Sequence, residues 1–141
     1  MAYTRGQFAR AFLPAVGAYV TQRNMRAMMA WMQAEGDAGR FNPLNTTQKM
    51  PNSTTFNEVG VQNYATFAEG VEATAKTLNY GADRSLHGYD PIRRRLRRNV
   101  RAYRTLLAVE SSAWGTSGLC LLCLPLVTAN MTRFQHHPLA Q

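Results

Sequence analysis

The sequence is short of lysine, of acid and of cysteine. Of its 16 cationic residues only Lys49 and Lys76 are lysines, and 8 acids leave a formal charge of +8. That balance favours a polyanionic partner such as nucleic acid, an anionic membrane or an anionic cell wall, without choosing among them. Two cysteines, Cys120 and Cys123, are too few for a disulfide framework. No apolar run approaches the roughly 18 residues of a spanning helix; the longest, 118–127, is interrupted by Pro125. Near the start, Gly6, Gln7 and Arg10 interrupt the apolar residues, so this stretch makes a poor signal peptide. What remains is 141 residues, 45% of them hydrophobic, enough for one domain with a core of its own.

Apolar spacing predicts a mainly α chain. Phe8, Phe12, Leu13 and Val16 mark a first helix over 5–18, kinked or split by Pro14. Thr21 is a good N-cap for a second. In it Met25, Met28, Met29 and Met32 share one face, Trp31 flanks them, and Gly36 ends the run. A methionine stripe at this spacing reads as core. Residues 36–64 carry Gly36, Gly39, Pro43, Pro51 and Gly60 and keep no helical period. They are expected to form a functional loop with short strands at 46–49 and 59–64. Thr66 and Glu69 have capping-box spacing ahead of a third helix through Phe67, Val71 and Leu78. Asp90-Pro91 is another helix start, with Ile92, Leu96, Val100, Tyr103 and Leu107 on the inward face and Asn99 a potential break. A tail follows Trp114-Gly115, apolar to Val127 and then polar.

Glu35 is the residue that most invites chemistry. A carboxylate in a last helical turn meets the negative end of the helix dipole, which opposes ionisation. Burial against Trp31, one turn earlier, would raise its pKa further. A carboxylic acid protonated near neutral pH can protonate a glycosidic oxygen. On spacing alone an exposed helix-end glutamate is the plainer reading. The arginines at 93, 94, 95, 97, 98, 101 and 104 form a second feature, either a solvated outer face or a polyanion surface. Cys120-x-x-Cys123 has a zinc-finger interval, but His136 and His137 are adjacent where a finger spaces them by three to five residues. No metal is expected. His87, in the loop from Ser85 to Gly88, is expected to be exposed.

The surrounding strings sharpen the choice. They are Ala30-Trp31-Met32-Gln33-Ala34-Glu35-Gly36, then Phe41-Asn42-Pro43-Leu44-Asn45-Thr46-Thr47-Gln48, then Phe56-Asn57-Glu58-Val59-Gly60-Val61-Gln62-Asn63-Tyr64, and then Gly70-Val71-Glu72-Ala73-Thr74. In order and texture they resemble lysozyme-like, peptidoglycan-cleaving proteins of phages and actinobacteria, over roughly residues 7–117. The resemblance implies a lysozyme-like α+β fold of about five helices with a small β-hairpin region, filling 1–117, and leaves 118–141 as a tail without assigned function. It implies Glu35 as the general acid, no cofactor, and Asn42, Asn45, Gln62 and Tyr64 against the sugar chain. Trp114-Gly115-Thr116 resembles the end of that domain, its aromatic packed beneath the last helix. The substrate implied is peptidoglycan, cut by a muramidase or by a lytic transglycosylase. The latter needs one carboxylate only; Asp37, Glu58 and Glu69 are the nearest candidates for a second. Arg93, Arg94, Arg97, Arg98 and Arg101 would then meet anionic wall polymers. The setting implied is a phage virion or the host cytoplasm before lysis, as a monomer or part of a particle. Two other readings stay open: a non-catalytic virion or wall-binding protein with the same shell, and a small basic nucleic-acid-associated protein.

Overall fold

A computed structural model describes residues 2–80, 87–115 and 118–141. Among them are seven helices and one two-stranded antiparallel sheet. The helices are α1 (Arg5–Ala15), α2 (Gln22–Glu35), α3 (Phe67–Tyr80), α4 (Tyr89–Arg97), α5 (Ala102–Glu110), α6 (Leu119–Ala129) and α7 (Met131–Gln135). The sheet joins β1 (Thr54–Thr55) to β2 (Gln62–Asn63), with Thr54 opposite Asn63 and Thr55 opposite Gln62. The chain is therefore mainly α with a small β region. No helix among the described residues is long and apolar enough to cross a membrane.

The second helix forms where the sequence places it. The Thr21 side chain accepts from Asn24 N (3.1 Å), meeting one of the backbone donors that a helix start leaves open. Met25, Met28, Met29, Met32 and Trp31 are all buried in the core cluster. Gly36 then takes φ +72° and ends the helix, a backbone region that glycine enters without strain. Asn24, also buried, donates to Tyr19 O and Leu96 O (both 2.9 Å) and so fixes α2 to α4.

Other elements differ from their sequence pattern, each for a visible reason. Segment 46–49, expected as a strand, is irregular. Asn42 accepts from Thr46 N and donates to Thr46 O (both 2.9 Å), so that Thr46 keeps a single backbone bond to the hairpin, from Gln62 N (3.2 Å). The capping box ahead of α3 reaches back one residue further than the motif: Thr66 Oγ1 accepts from Glu69 N, while Glu69 accepts from Ala65 N. Gly88, not Asp90, caps α4, and Asp90 and Pro91 lie inside its first turn. Asn99 at φ +52° breaks the run. Helix α5 is thereby re-phased. Leu106 and Val109 are fully buried, and Tyr103 and Leu107, expected inside, are exposed.

The tail is part of the packing. Cys120, Val127, Phe134 and Leu139 join the main hydrophobic cluster. Backbone bonds from Arg5 N to His137 O, Leu139 N to Tyr3 O and Phe41 N to Ala140 O tie the chain's last residues to α1 and to the 36–66 loop. The helix count therefore exceeds the expected five through α6 and α7. Ser85, Leu86, Thr116 and residue 117, the expected end of the domain, lie outside the described residues; His87 is exposed, as expected.

Candidate functional site: a cleft at the end of the second helix

Glu35 is the last residue of α2 and faces a cavity of about 290 Å³. The walls come from far apart in the chain: Asn45, Thr46 and Thr47 from the loop, Val59 and Val61 from the hairpin, Thr77 from α3, and Tyr89 and Trp114 opposite. Trp114 is fixed by its indole N–H to Leu44 O (2.7 Å) and packs edge-on against Trp31, ring centroids 4.9 Å apart. Tyr89 lies against Trp114 at 5.2 Å. Thr46 and Thr77 share a short hydroxyl contact (2.5 Å) that joins the loop to α3. These links hold the mouth of the cavity in place.

Burial pushes the Glu35 carboxyl from 4.5 up to about 7. Losing water disfavours the charged form, and the Glu110 carboxylate adds to the rise. Two groups oppose it. Asn45 Nδ2 donates to Glu35 Oε2 and to the Glu35 backbone carbonyl (both 3.0 Å). The Trp31 indole N–H also favours the anion, but short of normal hydrogen-bond geometry, since Trp31 Nε1 and Glu35 Oε1 are both buried without a partner. Glu35 is thus held on Oε2 by Asn45, with Oε1 buried near the Trp31 indole.

This shift has a stability consequence. Between pH 4.5 and about 7 the folded chain keeps a proton that the unfolded chain has lost. Stability therefore falls as pH rises through that window. Full desolvation would make the penalty roughly 3 kcal/mol, and solvent screening of a half-buried carboxyl reduces it to about 1–2 kcal/mol. Glu35→Gln should accordingly be more stable than wild type by about that amount at pH 8 and nearly equal to it at pH 4. Urea denaturation of both proteins at the two pH values checks this; an equal offset at both would mean that the carboxyl is not held protonated.

Asn45 sits at φ +56°, a left-handed conformation that asparagine tolerates. Asn45→Gly keeps that backbone accessible and removes only the amide. The Glu35 pKa should then move above about 7, read by NMR titration of the ¹³C-labelled carboxyl. A fall would mean that the amide does not stabilise the anion.

The structure brings Asn45 to Glu35 but not the other three residues expected against the sugar. Asn42 is 1% exposed, and its amide donates to Thr46 O and Gln62 O. Gln62 is 2% exposed and bonds Ser53 Oγ and Gly60 O. Tyr64 is fully buried, donates to Gln48 O (2.5 Å), and has its phenol pKa raised by burial. Their polar atoms are consumed in folding the loop, and none of the three lines the cleft. Tyr89 and Trp114 line it instead. Trp114 carried a family-like signal as a packing residue; nothing local marks Tyr89.

No other Asp or Glu lines this cavity among the described residues. Asp37 is engaged by the buried Arg5 guanidinium (2.8 Å) and by His137 Nε2 (3.0 Å). Glu110 accepts from Gly118 N and from Cys120 N (3.1 Å), holding the start of α6. Glu58 is exposed, and Glu69 serves the start of α3.

The arginines expected to form one face divide at Asn99. Arg93 lies 3.4 Å from Asp90, and Arg97 donates to Val16 O (2.8 Å). Arg94 is exposed, and Arg98 and Arg101 line a separate cavity past the end of α4.

No family model matches the chain, and neither a curated protein nor a solved structure matches it significantly.

Proposed function

We propose that this protein cleaves the glycan strands of peptidoglycan at the bond between N-acetylmuramic acid and N-acetylglucosamine, by transglycosylation. The observation that carries this reading is Glu35: a half-buried carboxyl at a helix end, with a pKa near 7, in an open cleft with Asn45 on one oxygen. At neutral pH much of it is protonated and can give its proton to the leaving oxygen. The carboxylate left behind can then take the proton of the muramoyl C6 hydroxyl as that oxygen attacks C1. The ring closes as a 1,6-anhydro sugar and Glu35 is protonated again, so the cycle needs no water and no second carboxylate.

The lack of a second acid on the cavity wall, among the described residues, favours this route over two-carboxylate hydrolysis. A two-carboxylate enzyme would need a partner roughly 5–9.5 Å away. Tyr89, partly exposed and backed by the buried Trp114, gives the cleft an aromatic edge against which a sugar ring can lie.

The test is mass spectrometry of peptidoglycan digested with wild type and with Glu35→Gln, with actinobacterial walls among the substrates. Glu35-dependent products ending in 1,6-anhydro sugar are expected. Reducing ends would mean hydrolysis. Absence of products on every wall would remove the enzyme reading and leave a binding protein.

A further inference from the structure

Five arginines converge where α2 meets the turn between α4 and α5. Arg23 and Arg26 come from the first half of α2, Arg98 and Arg101 from the turn, and Arg104 from α5. They line two cavities, of about 300 and 360 Å³, which share Arg23, Arg101 and Tyr103 and so adjoin. The turn is fixed to α2 by Thr21 Oγ1 on Asn99 Oδ1 (2.6 Å) and by Arg23 Nη1 on Asn99 O (3.2 Å). The fold therefore fixes the backbone beneath the site; Arg23, Arg98, Arg101 and Arg104 are exposed on it, and Arg26 is partly buried.

Its electrostatics are one-sided. No Asp or Glu lines either cavity among the described residues. The first turns of α2 and α5 carry no acid. Arg26 Nε is buried without a hydrogen-bond partner, and a buried polar group on a cation is unfavourable unless something satisfies it. Helix α5 begins at the same place with no side-chain cap, and Ala102 lines the cavity wall. Its first backbone N–H groups, at the positive end of the helix, thus add to the same field.

We propose that this groove binds a thin phosphodiester chain of the polyol-phosphate type, with Arg26 and Arg101 on successive phosphates. Guanidinium forks match phosphate oxygens, and two small adjoining cavities suit a single chain better than the broad, convex backbone of a duplex. Single-stranded nucleic acid is held largely by aromatic platforms for successive bases. Tyr103, 47% exposed, is the one aromatic residue lining it among the described residues, so a chain without bases fits better. The groove shares no lining residue with the Glu35 cleft and stands whether or not that cleft cleaves glycan.

The test is fluorescence anisotropy with a labelled glycerol-phosphate oligomer. Arg101→Gln/Arg104→Gln should weaken binding at least tenfold, and Arg26→Gln should do so independently. Arg40→Gln/Arg94→Gln, which removes as much charge elsewhere, should weaken it less than about threefold. Binding should also weaken as salt rises. Equal losses in the two double variants would overturn the proposal, as would no binding of the oligomer by wild type. Tighter binding of single-stranded oligo-dT would assign the groove to nucleic acid. Inorganic phosphate competing as well as the oligomer, phosphate for phosphate, would assign it to a free ion.

Discussion

Glu35→Gln should lower the rate of muropeptide release by about a thousandfold while leaving glycan binding within a few fold of wild type. Positioned proton transfer contributes typically 10²–10⁴ in rate, and here one carboxyl would serve both the bond-breaking and the ring-closing step. The substitution is nearly isosteric. Its amide oxygen can still accept from Asn45 Nδ2, now 3.0 Å from Glu35 Oε2, so the loop should stay in place. What is lost is the titrating proton. In the wild type the acid form dominates below about pH 7, so kcat should fall on the alkaline side of that value, and this limb should vanish from whatever activity Glu35→Gln retains. Retention of more than a tenth of wild-type activity would end the proposed role of Glu35. A large loss in binding with kcat intact would make the residue a sugar ligand.

The parts legible in the sequence are those determined within a few residues. Helix α2 is the clearest, because its cap at Thr21, its methionine face and its stop at Gly36 are all local features. Glu35 is legible for the same reason: its place in the last turn and its nearness to Trp31 follow from helical geometry alone. The inward face of α5 is not, because one left-handed residue, Asn99, rotates everything after it. Nor is the end of the chain, whose apolar residues find their places on α1, α2 and the loop only in the folded state.

The cleft shows the same division. Asn42, Gln62 and Tyr64 stand in the strings that resemble sugar-binding segments, yet their polar groups are needed by the backbone of a long irregular loop. A loop with only a two-residue ladder must satisfy many of its buried N–H and C=O groups with side chains. Sequence order cannot tell such a brace from a ligand. Tyr89 and Trp114 reach Glu35 across more than 50 residues of chain, and Arg23 and Arg26 meet Arg101 and Arg104 across a helix junction. Both groupings are tertiary, and no short-range pattern encodes them.

The largest stability effect is expected at Gly70. This residue lies in the first turn of α3, directly against the Phe41 backbone. A Cβ there would fall far inside van der Waals contact with Phe41 O and 3.0 Å from Phe41 Cβ. Phe41 has little freedom to retreat. Its own φ is +51°, its N–H is bonded to Ala140 O (2.8 Å), and its ring packs edge-on against Tyr3 and Phe67. Alanine would ordinarily favour a helix by about 1 kcal/mol over glycine. Here overpacking against fixed backbone should outweigh that gain, leaving Gly70→Ala destabilised by about 3 kcal/mol. For a chain of this length the melting temperature should drop by roughly 10 °C. Glu72→Ala, two residues on, removes an exposed pair with Lys76 (3.6 Å) and should stay within about 0.5 kcal/mol. Urea denaturation of the two variants separates the cases. If Gly70→Ala proved as stable as wild type, the loop would have to be free to slide away from α3. In that event the Asn45 amide, carried four residues beyond Phe41, could not be held against Glu35 as the cleft requires.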